Sequence, residues 1–215
     1  RKAAYQTKNT KSNETQFEML KKLELSFEQF QEIKKFCDEN KIKFLSTAFD
    51  LKSLSFVNSL KPDYIKIPSG EINNFLYLRE VAKSAKKIIL STGMSNEREI
   101  GEALNYLYNN GINKSQIILL QCTTEYPAPF SELNLKVIKK LKKKFKVKVG
   151  LSDHSIGEIA PIIAVSMGAK IIEKHLTLNR KLSGPDHKAS IEPNELKILI
   201  KKIKLAQLSL GSELK

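Results

Sequence analysis

The chain has 215 residues, 41% of them hydrophobic and 28% charged, with a formal net charge of +14. This suits one large domain with a real core and excludes disorder over most of the length; no apolar run approaches the ~20 residues of a membrane span. Only four of the 37 basic residues are arginines. The lysines spread over nearly every helical stretch, which argues against a nucleic-acid reader, since such proteins favour arginine for bidentate contacts. The positive field could still draw in anionic substrates. Cys37 and Cys122 form no metal or disulfide pattern, and Arg1 to Glu14 hold no signal-peptide apolar region, so the expectation is a reduced, cytoplasmic protein with no membrane association.

After a polar start, Glu18 to Leu25 and Ser26 to Asn40 are helical in pattern, the second with Phe27, Phe30, Ile33 and Phe36 at helical spacing. Six short apolar segments then read as strands: Ile42 to Ser46, Tyr64 to Ile67, Ile88 to Ser91, Ile117 to Cys122, Val147 to Leu151 and Ile171 to His175. Amphipathic helices separate them at Leu51 to Leu60, Phe75 to Ala85, Glu97 to Asn109, Asn134 to Phe145 and Gly157 to Met167. A last helix spans Pro193 to about Leu210. Strands alternating with helices imply a parallel sheet buried on both faces.

A doubly wound sheet would usually show a Gly-rich phosphate loop after its first strand, and none is visible. The strand ends instead read Ser46-Thr47, Lys66 to Glu71, Ser91-Thr92-Gly93, Thr123 to Tyr126, Ser152-Asp153-His154 and Glu173-Lys174-His175. A polar set after every strand is the pattern of a (β/α)₈ TIM barrel, whose functional residues gather at one rim. Six strands were counted where a barrel needs eight. The expectation is therefore an incomplete barrel domain over residues 1–215, with two βα units preceding Arg1.

All three histidines lie close together in sequence, as Asp153-His154, Lys174-His175 and Asp186-His187, each with an acid within two residues. Two imidazoles at the ends of neighbouring strands suit a divalent transition ion such as Mn²⁺ better than Mg²⁺, with Asp186 or Glu173 near it. Side-chain alternation puts Glu173 with His175, and Ser152 with His154, on shared faces. The hydroxyls of Thr47, Ser69, Ser91 and Ser152, with the Lys66 ammonium, suit a small phosphorylated carboxylate.

The ordered segments Phe44-Leu45-Ser46-Thr47, Lys66 to Glu71, Ile89 to Met94, Cys122 to Pro127, Gly150 to His154, Glu173-Lys174-His175 and Gly184 to Ser190 resemble those of the sialic acid synthase family. That family comprises the N-acetylneuraminate synthases and the related N,N'-diacetyllegionaminate synthases. The resemblance implies a barrel enzyme that condenses phosphoenolpyruvate with an open-chain N-acetylated hexosamine, giving a nine-carbon 2-keto sugar acid and inorganic phosphate. By it, Thr47, Lys66, Ser69, Ser91, Thr124 and Ser152 match phosphoenolpyruvate positions. His154 and His175 match the ligands of a divalent metal, Mn²⁺ preferred, with Mg²⁺ or Co²⁺ possible. Glu71, Tyr126 and Asp186 match positions near the sugar and are the expected catalytic residues. A homodimer is implied at full length.

The family's first two strands carry a catalytic glutamate, an Asn-His pair, a lysine and a glutamine, and its C-terminal antifreeze-like domain supplies an arginine to the partner's site. Neither set occurs in this sequence. Thr124 stands where some members have asparagine, and Ala48 where proline is common. Two other classes stay open on the residues alone. One is a Schiff-base aldolase using Lys66 or Lys174; the other is a non-catalytic basic binding module.

Overall fold

The computed structural model describes residues 1–10 and 13–212. The chain divides into two compact units, one of Arg1 and Glu14–Ile118, the other of Lys2–Asn13 and Leu119–Lys215.

In the first unit, helices α2 (Gln16–Lys21) and α3 (Phe27–Glu39) begin at Thr15 and Ser26, each closing a capping box with Glu18 and Gln29. Helix α4 (Leu51–Ser59) starts at Asp50, whose carboxylate accepts from the Ser53 amide. Strand β1 (Ile65–Ile67) pairs in parallel with β2 (Ile88–Ser91), with Lys66 opposite Ile89. Helix α5 (Phe75–Ser84) connects them, and α6 (Glu97–Asn109) follows. Buried residues Ile100, Ala103, Leu104 and Leu107 of α6 recur at i, i+3, i+4 and i+7, the stripe of a helix laid on a sheet. Ile67, Leu78, Val81, Ile88 and Leu90 are fully buried with them. Each such aliphatic side chain contributes roughly 1.5–3 kcal/mol by leaving water.

Strand β3 (Ile117–Cys122) begins in the first unit and continues in the second. The second unit holds α7 (Val137–Phe145), β4 (Lys148–Asp153), α8 (Ile159–Ser166), β5 (Ile172–Lys174) and α9 (Pro193–Leu210), together with the early helix α1 (Ala4–Thr10). β4 and β5 are parallel. Their core comprises Leu119, Leu120, Ile138, Val149, Leu151, Ala160 and Ala164. Gly150 is a packing requirement, because a Cβ there would lie 2.5 Å from the Ile171 carbonyl oxygen and 2.6 Å from Leu120 Cδ2. Pro193 occupies the first turn of α9, where its missing N–H leaves no intrahelical bond unmade.

The expected parallel α/β class holds, with five strands among the described residues. The sixth expected strand, Ile42 to Ser46, is not one. This stretch makes no ladder, and only Thr47 forms a single parallel bridge, to Lys66. Ile42 and Leu45 are exposed, so the apolar run lacks the two buried faces that its reading as a central strand required. Helix α1 is the converse case, a regular element inside a start that reads as merely polar. No helix of the described residues is long and apolar enough to cross a membrane.

Candidate active site

In the second unit the parallel register sets Ser152 opposite Glu173 and Asp153 opposite Lys174. Alternation puts Ser152 with His154 and Glu173 with His175, as the sequence predicts, and the register brings the two pairs to one face. The Ser152 hydroxyl donates to Glu173 Oε1 at 2.6 Å. Two residues further on, the His154 and His175 rings stand 5.3 Å apart and nearly perpendicular, at 88°. Tyr126, from the segment after β3, packs 4.1 Å from the His154 ring and 5.4 Å from that of His175.

His154 is buried, and its Nδ1 lies 2.6 Å from the Thr123 carbonyl oxygen. A carbonyl only accepts, so Nδ1 carries the proton and Nε2 presents its lone pair. Burial holds this imidazole below its ordinary pKa, against the opposing pull of the Thr123 carbonyl. The neutral, ligating form is therefore the one present at neutral pH. Burial also pushes the Tyr126 phenol up, keeping it a neutral donor.

Asp186 Oδ2 lies 3.8 Å from His175 Nδ1, while its Oδ1 is buried with no hydrogen-bond partner among the described residues. Burial raises this carboxyl, opposed by His175. Its loop is fixed from two sides. Asn9 Nδ2 of α1 donates to the Pro185 carbonyl at 2.6 Å, and Thr177 Oγ1 lies 2.8 Å from His187 Nδ1. A Cβ on Gly184 would sit 2.7 Å from His187 Cδ2, so glycine lets that ring close over the loop. Helix α1 also brings Tyr5 to 5.1 Å from the Tyr126 ring. Sequence reading missed Tyr5, Asn9 and the Thr123 carbonyl. The aromatic and amide within the Ala4–Thr10 helix were the available signal for the first two.

The donor set fits a divalent ion. Two imidazoles sharing an ion through bonds of ~2.1 Å place their ring centres roughly 5 Å apart, and the observed spacing is 5.3 Å. The Nδ1–H of His154 bonded to a backbone carbonyl is the outer-shell arrangement that orients a ligating histidine. Among the described residues, no three His, Cys, Asp or Glu side chains form a ready cage. The histidines would hold such an ion with coordination positions left for other oxygens.

The first unit carries Thr47, Lys66, Ser69, Glu71 and Ser91. Thr47 is set by its bridge to Lys66, and the adjoining Ala48 carbonyl accepts from Tyr77 Oη at 2.8 Å. Lys66 is buried within β1. Ser69, on the short 3₁₀ turn after β1, accepts at Oγ from the Gly93 amide at 3.0 Å. Glu71, on the same turn, accepts from Asn74 Nδ2 at 2.7 Å. Ser91 closes β2, is only 2% exposed, and its Oγ has no hydrogen-bond partner among the described residues. Thr124, half-buried in the loop after β3, belongs to the second unit with Ser152. Lys174, a candidate Schiff-base nucleophile on sequence grounds, is buried in an ion pair with Asp153.

Polar side chains at the carboxyl ends of parallel strands define an α/β protein with a strand-end site. The particular family follows from comparison: the chain belongs to the NeuB family, whose model matches residues 1–215. It is 51% identical over all 215 residues to the N,N'-diacetyllegionaminic acid synthase of Campylobacter jejuni subsp. jejuni serotype O:2, covering 64% of that protein. It is 34% identical over 194 residues to the human N-acetylneuraminate-9-phosphate synthase, covering 90% of this chain and 53% of that one. Among solved structures, the N-acetylneuraminic acid synthetase of Leptospira borgpetersenii serovar Hardjo-bovis, in complex with citrate, superposes with a TM-score of 0.88 at 33% identity. The match covers 98% of this chain and 73% of that one. A truncated 3-deoxy-D-arabino-heptulosonate 7-phosphate synthase from Thermotoga maritima shares the fold, with a TM-score of 0.75 at 20% identity. The chain spans about three fifths of the length of the curated legionaminic acid synthases it matches.

Proposed function

We propose that the protein condenses phosphoenolpyruvate with an open-chain N-acetylated hexosamine, forming a nine-carbon 2-keto sugar acid and inorganic phosphate, on a (β/α)₈ barrel scaffold. The sugar is N-acetylmannosamine or a 2,4-diacetamido-trideoxyhexose. The 51% identity to a legionaminic acid synthase favours the second. In this reading the working enzyme is a cytoplasmic homodimer. The observation that carries the proposal is the imidazole pair, with His154 neutral and its Nε2 lone pair presented beside His175, Tyr126 and Asp186.

His154 and His175 would hold a divalent ion, Mn²⁺ preferred, which when bound supplies Lewis-acid polarisation of a carbonyl oxygen. The chain's own groups have separate tasks. Asp186, its carboxyl raised by burial and its Oδ1 without a hydrogen-bond partner among the described residues, takes the role of proton transfer to a sugar oxygen in this reading. Tyr126 supplies a neutral phenol donor and an apolar wall against both imidazoles. Glu71 is assigned to the sugar end of the site. Thr47, Ser69, Ser91, Thr124 and Ser152 supply hydroxyls to phosphoenolpyruvate oxygens, and Lys66 supplies the compact positive charge. Ser91 Oγ is the hydroxyl most in need of such a partner.

The test is phosphate release measured with phosphoenolpyruvate, an acetylated hexosamine and Mn²⁺. Release that needs all three supports the proposal. Release from phosphoenolpyruvate alone, or none with either sugar class, contradicts it.

A further inference from the structure

Behind the two histidines lies a buried ion pair that the proposed chemistry does not use. Lys174 Nζ lies 2.6 Å from Asp153 Oδ2, with side chains 4% and 0% exposed. Lys174 also donates to the Ser155 carbonyl at 2.7 Å. The other carboxylate oxygen of Asp153 accepts from the Ser155 amide at 2.9 Å and from the Ser155 hydroxyl at 2.7 Å. Asp153 and Ser155 are the two chain neighbours of His154, and Lys174 is the neighbour of His175. One ammonium group, on the residue next to His175, therefore holds the Asp153 carboxylate on one side of His154 and the Ser155 carbonyl on the other.

Such a pair is a poor way to gain stability. Removing two charges from water costs several kcal/mol per ion, and apolar residues of the same size often serve a fold as well. Its geometric effect is particular. The Asp153–Lys174 contact on one face and the Ser152–Glu173 contact on the other lock the β4–β5 register from both sides. A slip of one residue would turn His154 and His175 to opposite faces.

We infer that Lys174 and Asp153 are positioning residues for the candidate metal site, their buried ion pair setting where His154 stands relative to His175. The inference rests on the reading of those histidines as a metal pair.

The test uses the full chain as wild type, Asp153→Asn, the double variant Asp153→Asn/Lys174→Met, and His154→Ala. The double variant leaves no unpaired buried charge, whereas Lys174→Met alone strands the buried Asp153 carboxylate. A metal-free readout is the imidazole Nδ1–H resonance in ¹⁵N-histidine-labelled protein, assigned by its loss in His154→Ala. In the Asp153 variants it should shift or exchange roughly tenfold faster while a cooperative melt persists. With Co²⁺ alone as the probe, affinity should fall roughly 10- to 100-fold and the visible absorption should change. A folded variant with wild-type resonance and wild-type Co²⁺ affinity would overturn the inference. So would failure of both Asp153 variants to melt cooperatively, because the pair would then serve the fold as such. If wild type binds no Co²⁺, or His154→Ala binds it as wild type does, the metal reading fails instead, and the resonance alone decides the positioning.

Discussion

The two units carry polar strand ends of different kinds. In the second, the groups are wired to one another: Ser152 to Glu173, His154 to Thr123, Lys174 to Asp153 and Ser155, and Asn9 to Pro185. In the first, the backbone sets the positions, through the Thr47–Lys66 bridge and the Gly93 amide on Ser69, while the Ser91 hydroxyl is left buried without a partner. The difference separates two ways of preparing a site. A pair of imidazoles must hold fixed spacing before an ion arrives, so its surroundings are closed by internal bonds. A hydroxyl meant for a ligand oxygen keeps its bonding capacity open and carries the cost of burial until the ligand comes.

The comparison breaks most visibly at Gly150. Gly150→Ala drives a Cβ into the Ile171 carbonyl and Leu120, and should destabilise the protein by about 3 kcal/mol in denaturant titration. Because it parts β4 from β5, it should also weaken Mn²⁺ binding. Retained binding would show that the register does not govern the imidazole pair.

Two serines sharpen the contrast. Ser152→Ala removes the donor to the Glu173 carboxylate and should cost about 1.5 kcal/mol. Ser91→Ala removes a buried hydroxyl with no partner, so stability should hold or rise by up to ~1 kcal/mol while phosphoenolpyruvate affinity falls. Equal losses of stability in both variants would erase the distinction between wired and open groups.

The smallest effect lies at the surface of the second unit. The Arg180 guanidinium forks onto Glu195 at 2.7 and 2.8 Å and, with the Glu192 amide, holds that carboxyl below its usual range. A depressed carboxyl pKa contributes stability that is present above the unfolded value near 4.5 and lost as pH falls through the folded one. At this exposure the contribution is about 0.5 kcal/mol. Glu195→Gln should lower stability slightly at pH 7, with the difference shrinking as pH falls below 4.5, as read by chemical denaturation across that range.

Much of this was legible in the sequence, for reasons that differ by element. Ile88–Ser91, Ile117–Cys122 and Glu97–Asn109 match their expected bounds because burial on both faces, or a clean helical stripe, leaves one reading. Ile42 to Ser46 has the same apolar composition but no ladder beyond the bridge at Thr47, and partners are not written in a local segment. Helix α1 was hidden because its seven residues are held by tertiary contacts, with Gln6 buried and Asn9 bonded to Pro185, rather than by an apolar period. That Ser152 shares a face with His154, and Glu173 with His175, followed from strand alternation alone; that the two pairs share one face did not. The Lys174–Asp153 pair did not, since alternation gives the face but not the register that sets those two residues opposite each other.

The central claim is that His154 and His175 form one prepared divalent site. Crystals soaked in Mn²⁺, with anomalous diffraction collected at the manganese edge, test it most directly. The account predicts a single strong peak bonded to His154 Nε2 and to His175, with the His154 Nδ1 contact to the Thr123 carbonyl unchanged. A peak that excludes either imidazole, or a His154 ring turned away from Thr123 to reach the ion, would contradict it.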